Sequence, residues 1–338
     1  MKETWTGKSG VYLIAEIGGN HEGNFDYAKK LTQLAIEGTP DAIKFQIYTG
    51  DSLVNPIVSP DRNAHFKKFE LPKEKHIYLA EMCKEAGVQY NASVWDLDAI
   101  NWIDPYVSFY KIGSGDFSAY NIIETFIKLG KPILLSTGLS TLEEVENCVE
   151  FIYSKSSDYK NKEMLGILQC TSMYPIPFEE ANLNVLKSYQ NRFDATIGYS
   201  DHTIGFEAMK VAVAMGAEIL EFHFTDEREG KSFRDHKVSL TRDEVLELSK
   251  SIVNIKKIQG SYVKEPTKSE KETLHTNSFR RAVYPNKDLF AGQIIKASDL
   301  ICLRPNDGIG AEYYYEIIGK TLKKDVPHHS PLNWEDLE

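Results

Sequence analysis

Short runs of β-branched and aromatic residues alternate along the chain with longer segments whose apolar positions recur at helical spacing. That alternation is the mark of repeated strand-helix units around a parallel sheet. Eight runs read as strands, at residues 11–17, 42–47, 88–94, 107–112, 132–136, 165–170, 195–199 and 218–224. Eight is the number that closes a (β/α)8 barrel, a TIM barrel of the α/β class. Between the strands, Asn24 caps an amphipathic helix that stops at Gly38, and Ser140 precedes another with acids in its first turn. The connection over residues 48–72 is too long and polar for an ordinary crossover and is expected to overhang a site.

After the eighth strand one more helical pattern closes the barrel near residue 260. Residues 261–276 are polar, contain a proline and read as a linker. Residues 277–338 hold short strand-like runs with Gly and Pro turns, the pattern of a second, small β-rich domain. No internal repeat beyond the strand-helix rhythm is present.

Charge narrows the function. With 39 Lys and Arg against 49 Asp and Glu, the formal balance of −10 argues against nucleic acid as partner. No apolar run reaches the roughly 18 residues of a membrane span, and the first residues lack the apolar stretch of a secretory signal, so a cytoplasmic protein is expected. The four cysteines, Cys83, Cys148, Cys170 and Cys302, lack CxxC pairing and read as reduced thiols.

In a barrel the active site lies at the C-terminal ends of the strands. The predicted ends carry Glu16, Lys44 with Gln46, Ser93, Lys111 with Ser114, Ser136, Thr171 with Ser172, the run from Ser200 to His202, and His223. Lys44 and Lys111 stand in apolar runs, where a charge is costly unless paired. They could pair with Glu16 or Asp116 and close the barrel floor, or hold an anion with the neighbouring hydroxyls, and Lys111 could also form a Schiff base. His202 and His223, on neighbouring strands, suit a divalent metal with an open shell, Mn²⁺ or Mg²⁺ rather than closed zinc. His65, His76, His275, His328 and His329 sit in polar context and are expected to be solvated, while His21 and His236 fall in loops near the mouth.

The motifs AEIGGNHEGN (15–24), IKFQ (43–46), YKIGSGD (110–116), LSTG (135–138), CTSMYP (170–175), IGYSDHT (197–203), HFT (223–225) and LRPNDGIG (303–310) together resemble the sialic acid synthases. These are phosphoenolpyruvate-dependent nonulosonate synthases whose barrel is followed by an antifreeze-like SAF domain. The resemblance covers nearly the whole chain. It implies that His202 and His223 bind the metal, that Lys44, Ser93, Lys111, Ser114, Ser136, Ser172 and Ser200 hold phosphoenolpyruvate, and that Gln46, Asp116, Tyr174 and Asp235 face the sugar. Glu16 would act as a proton-handling carboxylate at the reacting centre. The small domain would dock over a partner subunit, with Arg304 reaching the sugar site in trans, in a domain-exchanged homodimer.

The resemblance therefore implies condensation of phosphoenolpyruvate with an N-acetylated six-carbon amino sugar to a nine-carbon 2-keto acid. A Schiff-base pyruvate aldolase using Lys111 and an inactive sugar-binding homologue are the alternatives. Phe222, the run from Ser232 to Asp235, Asp116, Ser172 and the Ser93-Val94-Trp95 stretch depart from the better-known pattern, mostly on the side expected to face the sugar.

Overall fold

The computed structural model describes residues 4–338. They divide into two compact units, one extending to Gly260 and the other Ser261–Glu338.

The first unit is a (β/α)8 barrel. Its strands are β1 (Tyr12–Glu16), β2 (Ala42–Ile47), β3 (Gln89–Val94), β4 (Tyr110–Ile112), β5 (Ile133–Ser136), β6 (Leu165–Cys170), β7 (Thr196–Asp201) and β8 (Ile219–His223). All neighbours pair in parallel in the order β3-β2-β1-β8-β7-β6-β5-β4. Between the two ends of that order no regular ladder forms, and the Asn91 amide on β3 donates to the carbonyl of Phe109 at 2.7 Å to bridge toward β4. β4 is shorter than the sequence predicts: residues 107–109, which follow the helical turn Asp104–Tyr106, are irregular. β7 runs two residues further, to Asp201, carrying the strand into its polar end.

Parity explains both core and site. Alternate positions on the strands, Tyr12, Ile14, Ala42, Leu134, Leu168 and Ile219, pack together with Trp5 and Phe109 as one buried cluster inside the barrel. The opposite parity packs against the helices in a larger cluster. Space inside is fully used: a Cβ at Gly198 would stand 2.4 Å from the carbonyl oxygen of Ile219 and 2.6 Å from Leu168. Following the inner parity toward the C-terminal ends leads from Ile14 to Glu16, from Ala42 to Lys44, from Leu134 to Ser136 and from Ile219 to Glu221 and His223. The lower layers are apolar and the upper ones polar.

The helix Phe25–Glu37 is capped by Asn24, whose side chain accepts from Tyr27 N at 3.0 Å. Gly38 stays right-handed, and the left-handed residue is Thr39. The cap of Leu142–Lys155 is Thr141 rather than Ser140, because Thr141 and Glu144 form a reciprocal capping box. His76, expected in solvent, is buried on Lys73–Glu85, with Nδ1 2.9 Å from the Tyr90 hydroxyl and its pKa pushed down to about 3 by burial. The connection 48–72 folds into two short helices, Gly50–Leu53 and Pro60–Lys67. No helix among the described residues is long and apolar enough to cross a membrane.

The second unit holds an antiparallel pair, β9 (Ala282–Pro285) and β10 (Leu300–Leu303), over its own core of Val283, Leu289, Ile295, Ile309, Ile317 and Leu332 among others. The segment read as a linker falls within this unit and contains the helix Lys268–Glu272.

Candidate active site

A cavity of about 950 Å³ opens at the C-terminal ends of the barrel strands. Glu16, Lys44, Gln46, Ser93, Lys111, Ser114, Asp116, Ser136, Ser172, Tyr174, Ser200, His202, His223 and Asp235 all line it. The remaining candidate, Arg304, lies just after β10 in the second unit, its Nε donating to the carbonyl of Phe279 at 2.7 Å.

The floor is a buried quartet of charges. Lys44 Nζ lies 2.5 Å from Glu16 Oε2 and donates to Ser93 Oγ at 3.3 Å. Lys111 Nζ donates to Ser136 Oγ at 2.7 Å and to its neighbour's carbonyl, Ile112 O, at 3.1 Å, and stands 3.7 Å from Glu221 Oε1. Glu221 also accepts from Ser200 Oγ at 3.2 Å, and its Oε2 is buried without a hydrogen-bond partner. The bland pairing of Lys44 with Glu16 is therefore real, but the partner of Lys111 is Glu221, which the sequence reading missed. Its signal was available: Glu221 stands two residues before His223, so both point inward.

Burial sets the protonation of this quartet. It pushes the Glu16 carboxyl up to about 7, with Lys44 opposing and Glu221 adding to the rise. Glu221 is held below the usual carboxylate range by Lys111 and Lys44 despite its burial. Burial lowers the Lys111 ammonium, which Glu221 partly offsets. A left-handed turn leaves β1 at Gly18, φ 53°, where a Cβ would stand 2.9 Å from Glu16 Oε1. Glu16 Oε1 in turn accepts from the Gln46 amide at 3.0 Å. Residue 18 thus has to be small and left-handed for the Glu16–Gln46 pair to form.

Above the floor the two imidazoles face each other, ring centroids 5.4 Å apart, with Tyr174 packed on both at 4.0 Å and 5.4 Å. His202 Nδ1 sits 2.7 Å from the carbonyl of Thr171, which can only accept, so Nδ1 carries the proton and Nε2 a free lone pair. Its turn is pinned by Asp201, which accepts from the Tyr199 hydroxyl at 3.0 Å and from Thr203 N at 2.8 Å. His223 Nδ1 is buried without a hydrogen-bond partner, 4.0 Å from Asp235 Oδ2. Burial lowers the pKa of both rings and favours the neutral, ligating form. The fit to a divalent cation is good: two neutral imidazoles in one cavity, one aimed by a carbonyl and one with an orphaned nitrogen. No cluster of three His, Cys, Asp or Glu poised for a metal occurs among the described residues, so such an ion would keep open positions.

His21 is buried and accepts from Gly23 N at 3.0 Å, and His236 is buried between Thr225 and Glu22, so both are structural. His65 is exposed, as expected, and also helps to line the cavity. Phe222 packs on the helix side of β8, so its departure from the pattern does not touch the cavity. Phe233 and Arg234 do line it, together with Phe66, Phe69 and Trp95 from the loops after β2 and β3.

The family model described as NeuB family matches residues 31–264, and the SAF domain model matches residues 280–338. The chain is 32% identical to the N,N'-diacetyllegionaminic acid synthase of Legionella pneumophila, over 97% of this chain and 94% of that protein. It is 30% identical to a pseudaminic acid synthase of Campylobacter jejuni, over 97% and 96%. The solved structure of N-acetylneuraminic acid synthetase from Leptospira borgpetersenii, in complex with citrate, superposes with a TM-score of 0.72 at 30% identity, covering 78% of this chain and 90% of that one. With this match across the barrel and a second across the small unit, the chain belongs to the NeuB family, the sialic acid synthases, and carries a SAF domain.

Proposed function

We propose that this protein condenses phosphoenolpyruvate with the open-chain aldehyde of an N-acetylated six-carbon amino sugar, giving a nine-carbon 2-keto acid and phosphate. The observation that carries the reading is the buried Lys44–Glu16 and Lys111–Glu221 quartet beneath two neutral imidazoles. Phosphoenolpyruvate brings about three negative charges. Lys44 and Lys111, with Ser93, Ser136, Ser114, Ser172 and Ser200 around them, neutralise those charges and fix the enol carbon toward the aldehyde. Gln46, Asp116, Tyr174 and Asp235 bind the sugar.

His202 and His223 would hold a divalent ion, Mn²⁺ or Mg²⁺, which when bound polarises the aldehyde oxygen. Attack of the enol carbon forms the new carbon-carbon bond, leaves an alkoxide on the former aldehyde and a cation at the second carbon of the donor. Glu16, neutral up to about pH 7, gives its proton to the alkoxide. Water adds at the second carbon and loses its proton toward Glu221 Oε2, the unpartnered oxygen of the carboxylate that stays ionised. The tetrahedral intermediate then expels phosphate, and the proton taken by Glu221 returns through the shared lysines to Glu16. The Lys111 ammonium, engaged with Ser136, Ile112 O and Glu221, offers no free lone pair for a Schiff base. The working unit is a domain-exchanged homodimer in the cytoplasm, Arg304 of each copy completing the sugar site of the other.

The test is stoichiometry. With Mn²⁺, phosphoenolpyruvate and a panel of N-acetylated hexosamines, one phosphate and one nine-carbon 2-keto acid should form per sugar consumed. A 2-keto acid made from pyruvate, with no phosphate released from phosphoenolpyruvate, would replace this reading with the aldolase.

A further inference from the structure

The cavity wall after β3 holds a hydrogen-bond donor with nothing to donate to. Trp95 follows β3 directly and lines the cavity, and its Nε1 is buried without a hydrogen-bond partner. Packing fixes the indole. Its backbone N donates to Ile47 O at 2.8 Å, its ring lies 5.5 Å from that of Tyr48, and Tyr48 lies 5.4 Å from Phe66.

The acceptor that the indole lacks stands beside it. Asp116 ends the short 3₁₀ turn Ser114–Asp116 after β4, with its backbone N donating to Gly113 O at 3.0 Å. A Cβ on Gly113 would lie 3.7 Å from Asp116 Oδ2 and 4.0 Å from Trp95 Nε1, so carboxylate and indole converge over one glycine. Burial raises the Asp116 carboxyl, and the Trp95 N–H and Lys111 oppose the rise. Lys111 acts from a distance, because its ammonium is bonded to Ser136 and Ile112 O. The indole and the carboxylate are thus neighbours that stop just short of a hydrogen bond. A buried donor left in that state is costly, and closing the bond satisfies both groups at once.

We propose that Trp95 is a positioning residue for the acceptor sugar: its indole N–H takes one oxygen of Asp116, and the other oxygen is thereby aimed into the cavity at a hydroxyl or amide N–H of the sugar. This inference rests on the synthase reading above, in which Asp116 binds the sugar. The N–H is the one polar group of the indole, so a phenylalanine ring in its place would pack but not position. A carboxylate held at one oxygen presents the other in a single direction, which spares the complex the cost of ordering it on binding.

A double-mutant cycle separates this task from packing. Trp95→Phe keeps a ring and removes the donor, and Asp116→Ala removes its acceptor. With Mn²⁺, saturating phosphoenolpyruvate and the N-acetylated hexosamine that the parent turns over, Trp95→Phe should raise KM for the sugar about tenfold. It should leave kcat, and KM for phosphoenolpyruvate, within about threefold. In the Asp116→Ala background the same change should add nothing. An equal loss in both backgrounds means that Trp95 only packs and overturns the proposal, as does an unchanged KM in Trp95→Phe. Magnetic resonance tests the pair without substrate. The chain has four tryptophans, and the ¹⁵N-labelled indole signal missing from Trp95→Phe belongs to Trp95. That signal should shift as Asp116 titrates and lose the titration in Asp116→Ala. A signal that ignores pH, or that titrates equally without Asp116, overturns the pairing. If no sugar yields phosphate, the synthase reading fails, and the resonance result alone decides whether Trp95 holds Asp116.

Discussion

Replacing Lys111 with Met separates what this lysine does for the fold from what it does for the ligand. Its Nζ lies 3.7 Å from Glu221 Oε1 and 2.7 Å from Ser136 Oγ, with lysine and glutamate both buried. Removing one member of a buried pair leaves the other charge uncompensated and costs about 3–5 kcal/mol. Lys111→Met alone should therefore lower the thermal midpoint by about 10 °C. Lys111→Met combined with Glu221→Gln removes both charges at similar volume, which is close to neutral for stability, so the midpoint should recover most of that loss. Ligand affinity should not recover. A unit charge about 4 Å from an anion at an effective dielectric near 20 contributes up to about 4 kcal/mol, so the double variant should bind phosphoenolpyruvate roughly 30- to 1,000-fold more weakly. Thermal unfolding and calorimetric titration of the single and double variants measure both quantities. A stable double variant that binds phosphoenolpyruvate within threefold of the parent would show that Lys111 only closes the barrel, and the anion floor would be refuted.

Glu16 has its pKa raised to about 7, so below that pH it is neutral and leaves Lys44 to the ligand, while above it the carboxylate competes for Lys44. Phosphoenolpyruvate affinity should fall as pH rises through 7, and Glu16→Gln should remove that component, leaving only the ligand's own titration in calorimetric profiles. Because folding raises this acid, the folded state holds the extra proton between about pH 4.5 and 7. Its contribution to stability accordingly declines with rising pH across that window, and a Glu16→Gln variant should show a flatter unfolding profile. His202→Ala or His223→Ala should abolish Mn²⁺ binding in calorimetry and lower kcat at least about a hundredfold, and retained turnover in the double variant would remove the metal assignment. Mixed dimers of an Arg304→Ala chain with a Lys44→Met chain should regain part of the activity that each lacks alone, and no recovery would contradict the trans arrangement.

Much of this site is legible in the sequence because a barrel strand alternates strictly. Apolar runs that end in Glu16, Lys44, Ser136 or His223 declare both the strand and the face its last polar residue presents. The same parity places Glu221 inward and Phe222 outward. His76 was equally readable: Leu79, Ala80 and Cys83 lie three, four and seven residues on, the buried face of one helix. The Phe69–Phe233 contact was not. It joins two irregular loops with no period to relate them, and only the closed barrel brings the ends of β2 and β8 around one mouth.

If the enol carbon is the nucleophile, phosphate departs with the bridging oxygen of phosphoenolpyruvate. Phosphoenolpyruvate labelled with ¹⁸O in the bridging position, turned over with Mn²⁺ and an accepted sugar, follows that oxygen directly by ³¹P resonance. The label should appear in the released phosphate. Its retention in the keto acid, with solvent oxygen in the phosphate, would mean that water attacks phosphorus, and the chemistry assigned to this barrel mouth would be wrong.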